Sequence, residues 1–305
     1  MKKILVSLLF IIVLSLTACN NKKDKITVLV PNGTPAIAQS KMEYEMDSSN
    51  YQIERVSGPS PLIAAITSKS HDIIIAPLNI GANLYNKDAK YQLAGVLTWN
   101  NLQIISRSEI NLDNFTYSTI LAFGEGAIPE MIISYLLADY NPPAIDYSAS
   151  SAQESFLAFM QNENSMAIVS EPVTTIAKTE IEGLYVYDLS DLWTEKTSLE
   201  KFPQAGVFVK EDLDIEVVEK YLTTLKSAAL FTVLNPEETS SFCEELDYPF
   251  EKGVIKAAIP LSYISFHYAD ESIVEIEYFF NMILDFKGEL IGDKLPDENF
   301  YWSRP

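Results

Sequence analysis

The stretch that decides the fold is Asp72–Asn79, with the sequence DIIIAPLN. Its unbroken apolar run, Ile73–Ala76, is typical of a short strand covered on both faces, as in the centre of a parallel sheet. Pro77 ends that run, and a proline at this point favours the first turn of a helix. The stretch therefore predicts a central strand that leads directly into a helix.

The same order of strand and then helix recurs on both sides of this stretch. Strands are predicted at Ile26–Val30, Tyr51–Val56, Tyr91–Leu97, Leu102–Ile105, Thr119–Phe123, Ala144–Tyr147, Met166–Val169, Leu184–Tyr187 and Ala205–Val209. Helices are predicted at Ile128–Leu137 and Ala152–Met160, and the chain after Val209 is predicted to be helical, at Val217–Leu234, Pro236–Leu246 and Ile273–Phe286. Strand–helix units repeated in two halves predict an α/β protein of two lobes.

The start of the chain is typical of a secretory signal. Lys2 and Lys3 precede an apolar run, Ile4–Leu14, which is shorter than the roughly 20 residues of a membrane-spanning helix. A buried core helix is the alternative interpretation. The two lysines at the extreme start, and the polar residues that follow Cys19, favour the signal peptide.

The segment Leu16–Cys19, with the sequence LTAC, resembles the bacterial lipobox. The resemblance implies that residues 1–18 are removed as a signal peptide and that Cys19 carries lipid. Residues 19–25 then form a polar tether. Because several acyl chains, such as palmitate, anchor a protein stably, we expect a lipoprotein on the outer face of a bacterial cytoplasmic membrane.

Composition narrows the function. A hydrophobic content of 48% and a charged content of 21% are those of a globular protein. The net charge of −20 argues against a nucleic-acid partner, because phosphate binding needs basic patches. With Cys19 lipidated, Cys243 has no disulfide partner. The only histidines, His71 and His267, do not suffice for a conventional zinc or haem site, so we expect no metal and no cofactor.

Four segments resemble the substrate-binding components of ABC importers, in the branch that holds nitrate-, sulfonate- and thiamine-precursor-binding proteins. They are Ile63–Pro77, Leu121–Pro129, Met166–Pro172 and Ile291–Asp297, the last with Phe300 and Tyr301. The sequence departs from that pattern at Glu125, where the family has a small residue between two glycines.

The resemblance implies a two-lobed, type II periplasmic-binding-protein-like fold, in which each lobe is a mainly parallel sheet flanked by helices. It implies a discontinuous first lobe, residues 25–107 and 205–305, and a second lobe, residues 108–204. Two crossing segments near Arg107 and Gln204 would form the hinge, and ligand would close the lobes around itself. The partners implied are an ABC permease and its ATPase, with the binding protein itself a monomer.

Ligands of α/β sheets bind beyond the carboxyl ends of strands, where helix N-termini offer free N–H groups. The candidate ligand-binding residues at such turns are Asn32, Gly33, Thr34, Ser60, Pro77, Asn79, Trp99, Gly124, Glu125, Gly126, Ser150, Glu171 and Gln204. Each turn also has a plainer interpretation. Asn32–Thr34 is also explained by turn and helix-cap chemistry, Trp99 by a place in the core, and Glu171 by a favourable charge at a helix start.

These candidate turns contain no Lys or Arg but do contain Glu125 and Glu171, which favours a neutral or cationic heteroaromatic solute. We expect a pyrimidine related to thiamine, stacked on Trp99. A sulfonate or nitrate held by backbone N–H groups is the alternative. Pyrimidine-forming enzymes on the same fold, which use histidine and iron, are a further alternative. We expect no enzyme, because no candidate turn contains a histidine, His267 being unassigned, and no G-x-S-x-G motif is present. A surface receptor without transport remains open.

Overall fold

The computed structural model describes residues 25–46 and 50–304. The predicted signal peptide, residues 1–18, and the predicted lipid attachment at Cys19 lie outside these ranges. Within them, no helix combines the length and the apolarity needed to cross a membrane.

The first sheet has six strands in the spatial order β11-β4-β10-β3-β1-β2. The strands are β1 (Ile26–Pro31), β2 (Tyr51–Val56), β3 (Ile73–Pro77), β4 (Tyr91–Trp99), β10 (Pro203–Lys210) and β11 (Ile264–Tyr268). The helices between them are α1 (Thr34–Glu45), α2 (Pro59–Ser68) and α3 (Leu78–Tyr85). We call this sheet and its helices the first lobe.

The second sheet has five strands in the order β7-β6-β8-β5-β9. The strands are β5 (Gln103–Ser106), β6 (Thr119–Phe123), β7 (Ala144–Ala149), β8 (Ser165–Val169) and β9 (Tyr185–Asp188). Its helices are α4 (Ile128–Leu137), α5 (Ala152–Gln161), α6 (Val173–Glu180) and α7 (Leu189–Thr197). We call this sheet and its helices the second lobe.

The C-terminal part of the chain belongs to the first lobe. Its helices are α8 (Ile215–Leu234), α9 (Pro236–Glu245), α10 (Lys252–Ala258) and α11 (Ile273–Lys287), with short 3₁₀ turns at Ile259–Leu261, Ala269–Glu271, Gly288–Ile291 and Glu298–Phe300. Strand β11, Ile264–Tyr268, interrupts a region that was predicted to be helical. The prediction was wrong there, although the alternation of Ile264 and Phe266 with Ser265 and His267 is a strand pattern.

The strand within Asp72–Asn79 lies at the centre of the first sheet, as predicted. β3 is paired with β1 on one side and β10 on the other. Residues 73–76 are fully buried, and alternate side chains enter opposite layers. Ile74 and Ala76 pack into one hydrophobic cluster, and Ile73 and Ile75 into another.

The α/β class is confirmed, but both sheets are mixed and not mainly parallel. β10 runs antiparallel to β3 and β4, and β5 runs antiparallel to β8 and β9. Both strands enter their sheet directly from the other lobe. Successive strands joined by a crossover helix in one sheet run parallel. A strand that arrives from another sheet has no such connection, so it can run antiparallel to its neighbours.

The chain crosses between the sheets twice. The first crossing is Asn100–Leu102, between β4 and β5, and the second is Ser198–Phe202, between α7 and β10. Gln103–Ser106 therefore pairs within the second sheet, although the predicted division at Arg107 placed it in the first lobe.

Candidate functional site

A cavity of about 300 Å³ lies between the two lobes. It is lined by Pro77, Leu78, Asn79, Ile80, Asn101, Leu102, Phe123, Ala127, Ile128, Pro129, Ser170, Pro203, Gln204 and Phe279. These residues come from the carboxyl ends of β3, β6 and β8 and the helix starts that follow, from the first crossing, from the start of β10 and from α11. The cavity thus occupies the position at which ligands of open α/β sheets bind.

Two helix N-termini, one from each lobe, border the cavity. Helix α3 starts at Leu78 and α4 starts at Ile128, and neither has a side chain that caps its first N–H groups. The first turn of a helix carries uncompensated N–H donors and a partial positive charge. Both ends therefore present donors beside the cavity.

The cavity lining is neutral. Its polar side chains are Asn79, Asn101, Ser170 and Gln204, and the remaining lining residues are apolar. The Asn79 amide and the Ser170 hydroxyl make no side-chain hydrogen bond within the described residues. Asn79 belongs to the first lobe and Ser170 follows β8 of the second, so each lobe offers one uncommitted polar group.

The two crossing segments are tied to each other by Asn100. Its backbone N–H donates to Phe202 O at 2.9 Å, and its Oδ1 accepts from Phe202 N at 2.8 Å. Gln204 Nε2 donates to Asn100 O at 2.5 Å. Asn100 and Asn101 both have positive φ, 45° and 68°, a conformation that asparagine tolerates better than most side chains.

Asn101 connects this crossing to both lobes. Its Oδ1 accepts from Glu171 N at 2.7 Å, and its Nδ2 lies 3.4 Å from Glu171 O. The same Nδ2 donates to Thr34 Oγ1 in the first lobe at 3.3 Å. The Asn101 side chain therefore lines the cavity and also holds the two lobes together.

Glu171 is a buried acid at this contact. Its side chain is only 4% exposed, Oε2 accepts from Thr175 N at 3.1 Å, and Oε1 has no partner among the described residues. Burial raises the pKa of this carboxyl to about 7, against the hydrogen bond from Thr175 that lowers it.

The candidate residues from the sequence fall into three groups. Pro77, Asn79 and Gln204 line the cavity. Thr34 and Glu171 form the adjoining contact between lobes, where Thr34 Oγ1 lies 3.4 Å from Glu171 O. Those that do not line the cavity are Asn32, Gly33, Ser60, Trp99, Gly124, Glu125, Gly126 and Ser150.

Local contacts, exposure or backbone position explain why these residues do not line the cavity. Asn32 donates to Ser57 Oγ at 3.0 Å, and Ser150 is held by Glu154 Oε2 at 2.7 Å. Ser60 and Glu125 point to solvent. Gly33 precedes α1, where its φ is 98°.

The turn at Gly124–Gly126 shapes the cavity without lining it. Gly124 and Gly126 have φ of 81° and 65°, which direct the chain from β6 into α4. Phe123 and Ala127, on either side of this turn, do line the cavity. The predicted residues Gly124–Gly126 are therefore direct neighbours of lining residues.

Trp99 lies in the core and not at the cavity. It is 1% exposed, and its Nε1 donates to Ser265 O at 2.7 Å. Lys201 Nζ lies 4.0 Å from the centre of the ring, and His267 packs edge-on at 5.5 Å. The predicted stacking of a ligand on Trp99 has no space in this arrangement.

Lys201 and His267 form a second polar cluster beside Trp99. His267 Nε2 is 2.8 Å from both Lys201 Nζ and Ser265 Oγ. Burial, and the neighbouring Lys201 charge, lower the pKa of His267, which favours the neutral ring that accepts from lysine. Neither His267 nor His71 lines the cavity, and no three His, Cys, Asp or Glu side chains in the described ranges are grouped to hold a metal ion.

Several lining residues were not among the residues predicted from the sequence to bind ligand. Asn101 and Ile128 stand next to predicted turns, so a position beside a strand end could have indicated them. Phe279 had no such signal, because it reaches the cavity from α11, far along the chain.

Two mixed sheets, two crossings and a cavity between them define the two-lobed fold of periplasmic binding proteins. The chain is similar to a crystal structure of an ABC transporter from Parabacteroides distasonis, with a TM-score of 0.82 and 24% identity, covering 92% of this chain and 99% of that chain. It is also similar to the periplasmic aliphatic sulphonate binding protein of Escherichia coli, with a TM-score of 0.64 and 14% identity, covering 92% of this chain and 94% of that chain.

A third similar structure is the ligand binding component of an ABC-type import system from Staphylococcus aureus with zinc bound. Its TM-score is 0.65 at 11% identity, with coverage of 92% of this chain and 97% of that chain. Searches of family models and of curated proteins found no match.

Proposed function

We propose that the protein captures a small solute between its two lobes and delivers it to the permease of an ABC importer. One observation carries this proposal. The cavity between the lobes has an uncommitted polar group from each side, the Asn79 amide and the Ser170 hydroxyl. A ligand that bonds to both would favour closure of the lobes. Two of the similar structures are a ligand binding component of an import system and a sulphonate binding protein, which supports the same function.

The solute we propose is a neutral heteroaromatic, such as a pyrimidine related to thiamine. No charged side chain is among the lining residues, so a ligand with a full charge would lack a partner of opposite sign. The rings of Phe123 and Phe279 offer apolar faces, in place of the predicted Trp99. The Asn79 amide and the Ser170 hydroxyl, which are uncommitted, can bond to ring nitrogens and amino groups.

A sulfonate or nitrate anion is the second candidate. The uncapped N-termini of α3 and α4 favour it, because helix starts bind anions through backbone N–H groups. The neutral lining and the enclosed Glu171 favour the pyrimidine.

We propose that the bound solute is released unchanged. Neither histidine lines the cavity, and Glu125 is exposed whereas Glu171 is buried, so these carboxylates do not face a common space. Mass spectrometry of solute recovered after incubation checks this, and a converted product would contradict it.

The binding experiment uses the soluble form that lacks residues 1–19. Calorimetry with aminopyrimidines and with alkanesulfonates should give binding for the first group only. Asn79→Ala and Ser170→Ala should each weaken binding by roughly three- to tenfold, since a neutral hydrogen bond contributes about 0.5–1.5 kcal/mol. Gln153→Ala on the exposed face of α5 is the control. Binding of sulfonates alone would select the second candidate, and equal binding by all three variants would place the ligand elsewhere.

The anchor and the partners belong to the same proposal. We propose lipidation at Cys19, a position on the outer face of the cytoplasmic membrane, and an ABC permease with its ATPase as partners of a monomeric binding protein. Cys19→Ala should move the protein from the membrane fraction to the soluble fraction. An unchanged membrane association would contradict the anchor.

A further inference from the structure

The carboxyl of Glu171 is enclosed at the point where the lobes meet. Its side chain is 4% exposed, and Oε1 has no partner among the described residues. Thr175 N is the donor to Oε2, at 3.1 Å. An ionised carboxylate in such a place has lost most of its hydration and regained one hydrogen bond, which is unfavourable.

Both the first lobe and the first crossing contact Glu171, through its backbone. On the second lobe, Glu171 lies between β8 and α6. From the first lobe, Thr34 Oγ1 lies 3.4 Å from Glu171 O, and Thr34 is itself buried. Asn101 bonds to both the N–H and the carbonyl of Glu171 from the first crossing. Separation of the lobes would remove Thr34 and admit water beside Glu171.

The neighbouring charges do not neutralise the carboxyl. Lys178 on α6 favours its ionised form, but Asp188 opposes it. Asp188 is committed elsewhere, since its Oδ2 accepts from Tyr263 OH of the first lobe at 2.7 Å and its Oδ1 from Ser190 N at 2.9 Å.

The helices packed on α6 offer no further cation to Glu171. On α10, Lys252 and Lys256 are paired with Glu244 and Glu237. On α5, the carboxylate of Glu154 is held by Ser150.

We propose that Glu171 takes up a proton when the lobes close, so that acid favours the closed form. The carboxyl is neutral and enclosed in that form, and ionised and hydrated when the lobes are apart. The consequence for solute affinity rests on the proposed function, whereas the pH dependence of closure itself does not.

The direction follows from the two protonation states. Burial raises the pKa of Glu171 to about 7 in the closed form, and hydration would return it toward the ordinary value of 4.5. The contribution of Glu171 protonation to closure is therefore complete below pH 4.5, and it is lost as pH rises through 7. The corresponding change in the closure equilibrium has an upper limit of roughly two orders of magnitude.

Closure can be measured without ligand by spin labels on the soluble form. Ala64→Cys on α2 and Gln153→Cys on α5 are exposed sites on opposite lobes, and the buried Cys243 should remain unlabelled. The quantity measured is the ratio of the population with the short label-to-label distance to the population with the long one. We expect this ratio to be at least tenfold higher at pH 5 than at pH 8. In Glu171→Gln, which cannot ionise, the ratio should change less than twofold. Glu163→Gln, an exposed acid of the same lobe, should behave as wild type.

A second measurement keeps the proposal testable if Glu171→Gln folds poorly. The infrared band of a protonated carboxylic acid should be present in the labelled wild type at pH 6 and disappear by pH 8.5, in step with the distances. A ratio that is constant from pH 5 to pH 8, or one that changes equally in Glu171→Gln, would overturn the proposal. Failure to find any solute would overturn the proposed function but leave these results standing.

Discussion

At the residue scale, Gly81 marks a place where a helix comes too close to the sheet for a side chain. A Cβ at Gly81 on α3 would lie 2.0 Å from Cζ of Phe208 on β10, and both residues are in the packed interior. A Cβ at Gly253 on α10 would meet no heavy atom within 4 Å apart from its chain neighbours and its own helix backbone. The two glycines are therefore in helices for different reasons.

We predict that Gly81→Ala destabilises the protein by about 1–3 kcal/mol, because the Phe208 ring must shift within a packed core. Gly253→Ala should leave stability unchanged or raise it by up to about 1 kcal/mol, because alanine favours the helix. Urea unfolding curves of both variants measure these changes. Equal free energies of unfolding for the two variants would show that the Phe208 contact is unimportant.

Cys243 is a buried thiol with no route to chemistry in the folded state. It is fully enclosed, and burial raises its pKa to about 11, so the reactive thiolate is scarce at neutral pH. We predict that the soluble form lacking residues 1–19 reacts with a disulfide reagent only as it unfolds in urea. Ala64→Cys, on the surface of α2, is the reactive control. Reaction of Cys243 at the rate of that control in native buffer would refute its inertness.

At the scale of elements, the first crossing is a short segment with strained backbone and a demanding set of hydrogen bonds. Asn100 is buried with φ of 45°, and its Oδ1 satisfies Phe202 N at 2.8 Å. The second crossing depends on that bond, because Phe202 N is otherwise an unpaired buried donor.

We predict that Asn100→Ala destabilises the protein by roughly 2–4 kcal/mol, from the unpaired donor and the left-handed backbone together. Asn100→Gly should cost less, because glycine accepts positive φ, although it also loses the side-chain bond. Lys69→Gly, at a solvent-exposed left-handed position after α2, should stabilise slightly and is the control. Thermal or urea unfolding measures the relative stabilities of these variants. An Asn100→Gly variant less stable than Asn100→Ala would contradict the prediction.

At the scale of the whole molecule, the two lobes share one hydrophobic core. A single cluster contains Ile74 of the first sheet and Ile168 of the second. Phe202 in the second crossing lies between them, with Trp193 of the second lobe at 4.9 Å and Phe279 of the first at 6.3 Å, measured between ring centres. We therefore expect the lobes to unfold together.

Unfolding in urea should accordingly give coincident transitions by tryptophan fluorescence and by far-ultraviolet circular dichroism. Phe202→Ala should destabilise by about 3–5 kcal/mol and separate the two transitions, because it removes the ring that joins the lobes. Phe286→Ala, at a partly exposed site on α11, should have a small effect and no separation. Two transitions in the wild type would mean that the shared core does not couple the lobes.

The sequence by itself determined the elements whose pattern is local. Ile73–Ala76 followed by Pro77 specifies a buried strand and a helix start, whatever surrounds it. Because ligands bind beyond strand ends, the same reasoning placed Pro77, Asn79 and Gln204 at the candidate site, where all three line the cavity.

Only the tertiary structure decided the rest, because it depends on residues that are distant in the chain. Trp99 is covered by Lys201 and His267, and Phe279 enters the cavity from α11. The reversed direction of β5 and β10 follows from strands that arrive from the other lobe. Glu171 acquires its raised pKa from burial, and Thr34 of the opposite lobe bonds to its backbone carbonyl. Burial and interlobe contact are properties of the packed molecule, and no local pattern encodes them.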